Sequence, residues 1–211
     1  MAEPLRRSPG RPRLSEQRAP TEETLLAAAS RLFLDRGYEL VTMDEVAEAA
    51  GVTKATVYYH YASKADLFTA AMAAMLRQME QRTRSILQSP DLTLRERLLR
   101  VAALRLAGPE GTMDFETLVR EARSSLTLEQ MRTMREALES ITAAVADTLA
   151  EGMRRQELRP LDPALGAHAF FALLSSGWLH GPDGSGCFED SDTHANRLMD
   201  LLWRGLAAAG A

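Results

Sequence analysis

Residues 42–61 read Thr42-Met43-Asp44-Glu45-Val46-Ala47-Glu48-Ala49-Ala50-Gly51-Val52-Thr53-Lys54-Ala55-Thr56-Val57-Tyr58-Tyr59-His60-Tyr61. Thr42 with Glu45 three residues later forms a capping box, which starts a helix. Gly51 ends that helix, and Thr53 caps a second one that runs to about Tyr61. Two helices joined by so short a turn cross closely, and the crossing accepts only a small side chain. Ala47 supplies it, Gly51 supplies the backbone freedom of the turn, and Val46, Val52 and Val57 lock the pair. The result is a helix-turn-helix whose second helix projects outward, in the manner of an element that enters the major groove of DNA.

The start of that second helix carries Thr53, Lys54, Ala55 and Thr56. Threonine hydroxyls can bond bases or phosphates, Ala55 can meet a thymine methyl, and Lys54 can reach guanine acceptors. Tyr58, Tyr59, His60 and Lys64 lie further along and suit phosphate contacts, which position a reading helix without specifying sequence. The bland alternative is a plain three-helix core in which Tyr58 and Tyr61 merely pack. Capping, turn and packing signals all agree with the DNA-reading arrangement instead.

Working outward, Thr21 caps a helix with Glu22 and Glu23 in its first turn, an apolar stripe of Leu25, Ala29, Leu32 and Phe33, and a stop at Gly37. Ser63 caps a fourth helix, with Asp66 at the reciprocal position, that continues through Leu67, Phe68, Met72, Met75, Leu76 and Met79 to about Gln88. Helical patterns follow at roughly 92–107, 114–125, 127–157, 162–180 and 193–209, separated by Gly108-Pro109, Pro160, Pro163 and the loop beginning at Gly181. The chain therefore reads as all-α.

From Thr21 to Phe68 the sequence resembles the DNA-binding domain of the TetR/AcrR family of transcriptional regulators. The resemblance rests on the Ala-x-x-Leu-Phe helix ending in Gly-Tyr (Ala29 to Tyr38), on Thr42, and on Val46-Ala47-x-x-Ala50-Gly51-Val52. It is completed by Thr56-Val57-Tyr58-Tyr59-His60-Tyr61-x-Ser63-Lys64-x-Asp66-Leu67. Tyr61 departs from the phenylalanine more usual there. The resemblance implies that Thr42, Tyr58, Tyr59, His60 and Lys64 touch phosphates and that Lys54, Ala55 and Thr56 face bases. It further implies a division into a flexible basic arm (1–20), a three-helix helix-turn-helix DNA-binding domain (21–67) and a larger helical ligand-sensing and dimerisation domain (68–211).

The formal net charge of −4 hides an asymmetry. Residues 1–20 hold Arg6, Arg7, Arg11, Arg13 and Arg18 against Glu3 and Glu16, so five minus two leaves +3 there and −7 on the rest. A positive end on an acidic chain is the pattern of a DNA-touching arm. Pro9-Gly10-Arg11-Pro12-Arg13 is either a minor-groove hook, with Arg11 and Arg13 entering narrow A·T tracts, or a solvated tail of general attraction.

In family members the last two long helices pair across a two-fold axis. Here these are 162–180 and 193–209, with Phe170, Leu174, Trp178, Leu198 and Leu202 as interface candidates; the alternative is that both helices complete the core of one subunit. Between head and interface, Met75, Met79, Leu104, Phe115, Leu118, Met134, Leu138 and Phe171 are candidates to line a pocket for a small, largely apolar effector, although a methionine stripe also reads as ordinary core. Arg120, Glu121 and Arg123 read as polar contacts to such an effector or as a solvated face.

No run approaches the roughly eighteen apolar residues a membrane span requires, and the arginine-rich start lacks the apolar stretch of a secretory signal, which places the chain in the cytoplasm. The single cysteine, Cys187, excludes an internal disulfide. His168, His180 and His194 lack metal-site spacing, and no phosphate loop, nucleophile elbow or carboxylate pair stands out. The expectation is a homodimeric DNA-binding regulator that uses no metal or cofactor and is not an enzyme. It most simply acts as a repressor released by its effector; the alternative is a regulator governed by a protein partner, or an activator without a small-molecule effector.

Overall fold

The computed structural model describes residues 22–106, 115–175 and 190–206, and every regular element among them is a helix. In order these are α1 (Glu22–Arg36), α2 (Met43–Ala50), α3 (Lys54–His60), α4 (Lys64–Leu87), α5 (Leu94–Leu106), α6 (Phe115–Ala122) with a 3₁₀ turn at Arg123–Ser125, α7 (Leu128–Arg154), α8 (Pro163–Ser175) and α9 (Ser191–Leu206).

Local chemistry sets most of these boundaries. Thr42 accepts from the Glu45 N–H at 3.2 Å while the Glu45 carboxylate accepts from the Thr42 N–H at 2.8 Å, so both halves of the capping box form. Thr53 and Ser63 cap α3 and α4 in the expected way. Gly51 adopts φ 68° and ψ 28°, and the following Val52 N–H reaches back to the Ala47 carbonyl at 2.9 Å, closing α2 with a left-handed cap. A Cβ added at Gly51 meets nothing within 4 Å. Gly51→Ala is therefore expected to cost only the left-handed backbone penalty, about 1 kcal/mol, with no steric clash. Equilibrium denaturation against wild type would measure it, and a loss several times larger would show that the turn is packed as well as strained.

Several boundaries differ from the sequence expectation, the helix expected over 114–125 among them, which ends at Ala122 in a 3₁₀ turn. The helix expected from 92 starts at Leu94, because Thr93 and Glu96 form a further capping box, with the Glu96 carboxylate accepting from the Thr93 N–H at 2.8 Å. The helix expected to reach 157 stops at Arg154, since Gln156 takes a left-handed conformation (φ 63°) and turns the chain. The last helix starts earlier than 193, at Ser191, because Asp190 accepts from the Thr193 N–H at 2.7 Å and from its hydroxyl.

Two apolar cores hold the helices. In the first, Phe33, Phe68 and Tyr38 form an aromatic trio with ring centroids 5.0–6.0 Å apart, joined by Leu25, Val46, Val57, Leu67 and Met72. This core does not end with the first four helices: Leu118, Ala122, Leu126 and Met134 of the α6–α7 region are buried in it. The second core gathers Leu98, Val101, Val145, Leu149, Phe170, Leu174, Leu198 and Met199 from α5, α7, α8 and α9. The long helices α4 and α7 make the most extensive pairing and span both cores.

The second core corrects part of the interface expectation. Phe170, Leu174 and Leu198 are 2, 1 and 8% exposed, so they fill the protomer's own interior and offer nothing to a partner. Leu202 packs on the same core at its edge. Trp178 lies outside the described residues. The outward face of α8 and α9 carries Leu165, His168, Ala169, Ala172 and Leu201 instead, with Leu165 and Leu201 more than 60% exposed.

Candidate nucleic-acid interface

The short helix α3 is anchored on one side and open on the other. Val57 is fully buried and Tyr61 nearly so, whereas Thr53, Lys54, Ala55, Tyr58, Tyr59 and His60 are exposed and Thr56 is half-buried. Tyr59 is 85% exposed and Tyr58 47%, which removes the reading in which Tyr58 merely packs. Tyr61 does pack. Its hydroxyl, the group a phenylalanine would lack, donates to the Glu22 carboxylate at 2.8 Å and fastens α3 to the start of α1. Burial and that hydrogen bond both push the phenol well above its ordinary range.

Around this open face the cations are held rather than free. Lys54 Nζ lies 2.8 Å from the Asp44 carboxylate on α2 and 5.8 Å from the centre of the Tyr58 ring. Hydrogen bonding to Asp44 and its charge raise the Lys54 ammonium above its usual value. Lys64 Nζ donates to the Glu39 carbonyl at 3.0 Å and sits 4.4 Å over the Tyr38 ring. Thr42 and Lys54 thus lie at the first turn of α2, and Lys64 lies on the segment that leads into it. Glu45 also accepts from Arg36 at 3.0 Å; its hydrogen bonds to Thr42, then the nearby guanidinium, hold its carboxyl below the usual range. The Thr53 and Thr56 hydroxyls lie 2.9 Å apart and present a paired donor and acceptor at the start of α3. Arg11 and Arg13 lie outside the described residues.

Charge is the unexpected property of this head. Between residues 22 and 68 the cations are Arg31, Arg36, Lys54 and Lys64, set against eight Asp and Glu side chains. The shape of α2 and α3 is that of a helix-turn-helix, but the bulk field of these residues is negative and does not itself attract a polyanion.

Two residues that sequence reasoning did not place join the head to the body. The Glu121 carboxylate, which reads in sequence as an effector contact or a solvated group, accepts from the Tyr38 N–H at 3.1 Å. Gln130 donates to Asp66 at 2.8 Å while also completing a capping box with Thr127. A Thr-x-x-Gln spacing is a signal for a helix start, but nothing local in the sequence points to Asp66.

The pocket candidates do not converge on one space. Leu118 and Met134 are buried in the first core, with Met75 and Phe115 packed against it; Phe171 belongs to the second core, edge-on to Phe170 at 5.2 Å. Met79 and Leu104 are half-buried, and Leu138 is 38% exposed and faces outward. A cavity of about 430 Å³ opens elsewhere, between Leu87, Leu94, Arg97, Thr148, Glu151 and Arg155, and none of the eight candidates lines it. Among the described residues no three metal-ligating side chains converge, and no helix is long and apolar enough to cross a membrane.

Residues 25–71 match the profile of the bacterial regulatory proteins of the tetR family. The chain is 28% identical over 207 residues to the HTH-type transcriptional repressor BepR of Brucella suis, covering 93% of this chain and 96% of that protein. It is 27% identical over 193 residues to the HTH-type transcriptional activator FasR of Mycolicibacterium smegmatis, covering 90 and 86%. Among solved structures, the transcriptional regulator FadR of Bacillus subtilis in complex with stearoyl-CoA superposes with a TM-score of 0.67 at 22% identity, covering 85 and 96%.

Proposed function

We propose that this chain, which belongs to the TetR family of DNA-binding transcriptional regulators, reads a pseudo-palindromic operator as a homodimer and is released from it by a small, largely apolar effector. The observation that carries the DNA-reading part is the two-sided character of α3, with Val57 and Tyr61 sunk in the core and Lys54, Ala55, Tyr58, Tyr59 and His60 facing out. Lys54, Ala55 and Thr56, with Thr53 beside them, meet base edges, and Thr42, Tyr58, Tyr59, His60 and Lys64 grip phosphates on either side. The dimer is favoured by the outward Leu165, Ala169, Ala172 and Leu201, small and apolar side chains that let helices of two copies approach closely. Two reading helices then address two half-sites on one face of the duplex.

Release by an effector is supported by the shared first core. A ligand that reshapes the α6–α7 region shifts Leu118 and Met134, and with them Tyr38 and Asp66 through Glu121 and Gln130. A change of about 1–3 kcal/mol in coupling suffices for a 5–150-fold change in operator affinity. The stearoyl-CoA held by the structurally similar FadR makes an acyl chain a reasonable first effector to try. Activation is the second reading, favoured by the similarity to FasR.

Tyr59→Ala and Lys64→Ala test the interface. Tyr59 is so exposed that its truncation is expected to change stability by less than about 0.5 kcal/mol. Each variant is expected to lose roughly tenfold or more in affinity for duplex DNA, read by fluorescence anisotropy, with unchanged circular dichroism. Wild-type affinity in both would remove α3 and the start of α4 from the DNA contact.

A further inference from the structure

In α2, α5 and α7 a threonine caps the helix and the third helical residue reaches back to the threonine N–H: Glu45, Glu96 and Gln130 respectively. A carboxylate suits this position best, because a helix start favours negative charge. At α7 the residue is nevertheless an amide, and the amide has a second task. Its oxygen accepts from the Thr127 N–H at 2.8 Å, while its nitrogen donates to Asp66 Oδ1, also at 2.8 Å. A glutamate could do the first and not the second. Asp66, the third residue of α4, is complementary. Its N–H donates to Ser63 Oγ at 3.1 Å, its Oδ2 accepts from the Ser63 hydroxyl at 2.7 Å, and its Oδ1 takes Gln130. A continuous run of hydrogen bonds, Ser63 to Asp66 to Gln130 to Thr127, thus joins the cap of α4 to the cap of α7, with Asp66 and Gln130 both half-buried.

We infer that Gln130 is a positioning residue for DNA reading: from the body of the molecule it fixes, through Asp66, where α4 begins, and so how Lys64 and α3 are set against the duplex. This rests on the reading of α3 and the start of α4 as the DNA contact. Only Tyr61 and Ala62 separate the last residue of α3 from the Ser63 cap, and Lys64 opens α4, so both follow that cap closely. Beneath them Phe68 shares a core with Leu118 and Met134, but apolar packing is non-directional and tolerates a small slide. The bond from amide to carboxylate is directional, and a hydrogen bond to a charged group shifts an equilibrium by roughly tenfold or more. A dimer carries the link twice. Its loss therefore loosens the setting of two reading helices, which matters to a duplex with two half-sites and little to one bound through phosphates alone.

The test exchanges donor and acceptor in the full chain. Gln130→Glu keeps the cap of α7 but sets two carboxylates against each other. Adding Asp66→Asn restores a hydrogen bond of reversed polarity at the net charge of the wild type, and the Ser63 cap survives because it uses the backbone N–H of residue 66. The probes are a duplex pool of randomised sequence and duplexes enriched from that pool by the wild type. Gln130→Glu is expected to bind the enriched duplexes about tenfold more weakly and the pool within about threefold of wild type. The double variant should return the enriched duplexes to within about threefold of wild type. Gln130→Met, which breaks the bond without adding charge, should divide the two probes in the same direction. Thermal melting runs beside each titration, because a residue that only held the fold would lower the melting temperature without moving the ratio of the two affinities. The inference is overturned if Gln130→Glu weakens both probes alike, which is plain repulsion, or leaves both unchanged. It is overturned too if the double variant binds enriched duplexes no better than Gln130→Glu alone. Failure of the wild type to enrich any duplex is a different result and defeats the DNA-reading proposal itself.

Discussion

Phe68→Ala should unfold the reading head and the α6–α7 junction together. The Phe68 ring is fully buried and meets Phe33 edge-on at 5.0 Å and Tyr38 at 5.1 Å. Truncating a phenylalanine so enclosed costs about 3–5 kcal/mol, from lost transfer energy and from the cavity left behind, a large part of the stability of an ordinary domain. The same core contains Leu118, Ala122, Leu126 and Met134, so the loss cannot stay within the first four helices. The Tyr38–Glu121 and Asp66–Gln130 hydrogen bonds run across the same seam and depend on the same packing. Hydrogen exchange followed by region, beside chemical denaturation, would show amides of 25–60 and of 118–134 losing protection in step. Retained protection at 118–134 with a melted head would mean that the two fold separately, and would remove the physical basis for passing an effector's signal through α6 and α7.

Removing residues 1–20 should lower DNA affinity by roughly a hundredfold near physiological salt and flatten the salt slope by about three. The arm has five arginines against two glutamates, whereas residues 22–68 hold twice as many carboxylates as cations. Each phosphate neutralised by a cation releases condensed counterions and adds about 0.9 to the slope. Of the four cations in 22–68, Arg36 is paired with Glu45 and Lys54 with Asp44, so the head has few cations left to do this. Affinity titrated at several salt concentrations, full chain against truncated, gives the difference in slope directly; identical slopes would place the arm away from the duplex. A variant with Arg11 and Arg13 both changed to Lys separates the two readings of the arm. It should bind as well as wild type if the arm only attracts, and should lose preference for A·T-rich flanks if the arginines enter the minor groove.

What depends on neighbours along the chain can be read without the fold. Capping pairs such as Thr42 with Glu45 and Ser63 with Asp66 act over three residues, and Gly51 needs only its own φ to end α2, so both could be read without knowing what lies opposite. The outward projection of α3 followed from Ala47 and Val57 in the same local way. Tertiary structure alone decided which partner each apolar or charged surface would choose. Periodicity identified Phe170, Leu174 and Leu198 as an apolar stripe but could not say whether the protomer or a second copy would cover it, because a leucine is indifferent to which chain excludes its water. Lys54 met Asp44 ten residues away, and Tyr38 met Glu121 eighty-three away, because folding brought their helices together. Helical period is written into backbone geometry, whereas the choice of neighbour comes from the competition of all surfaces for burial at once.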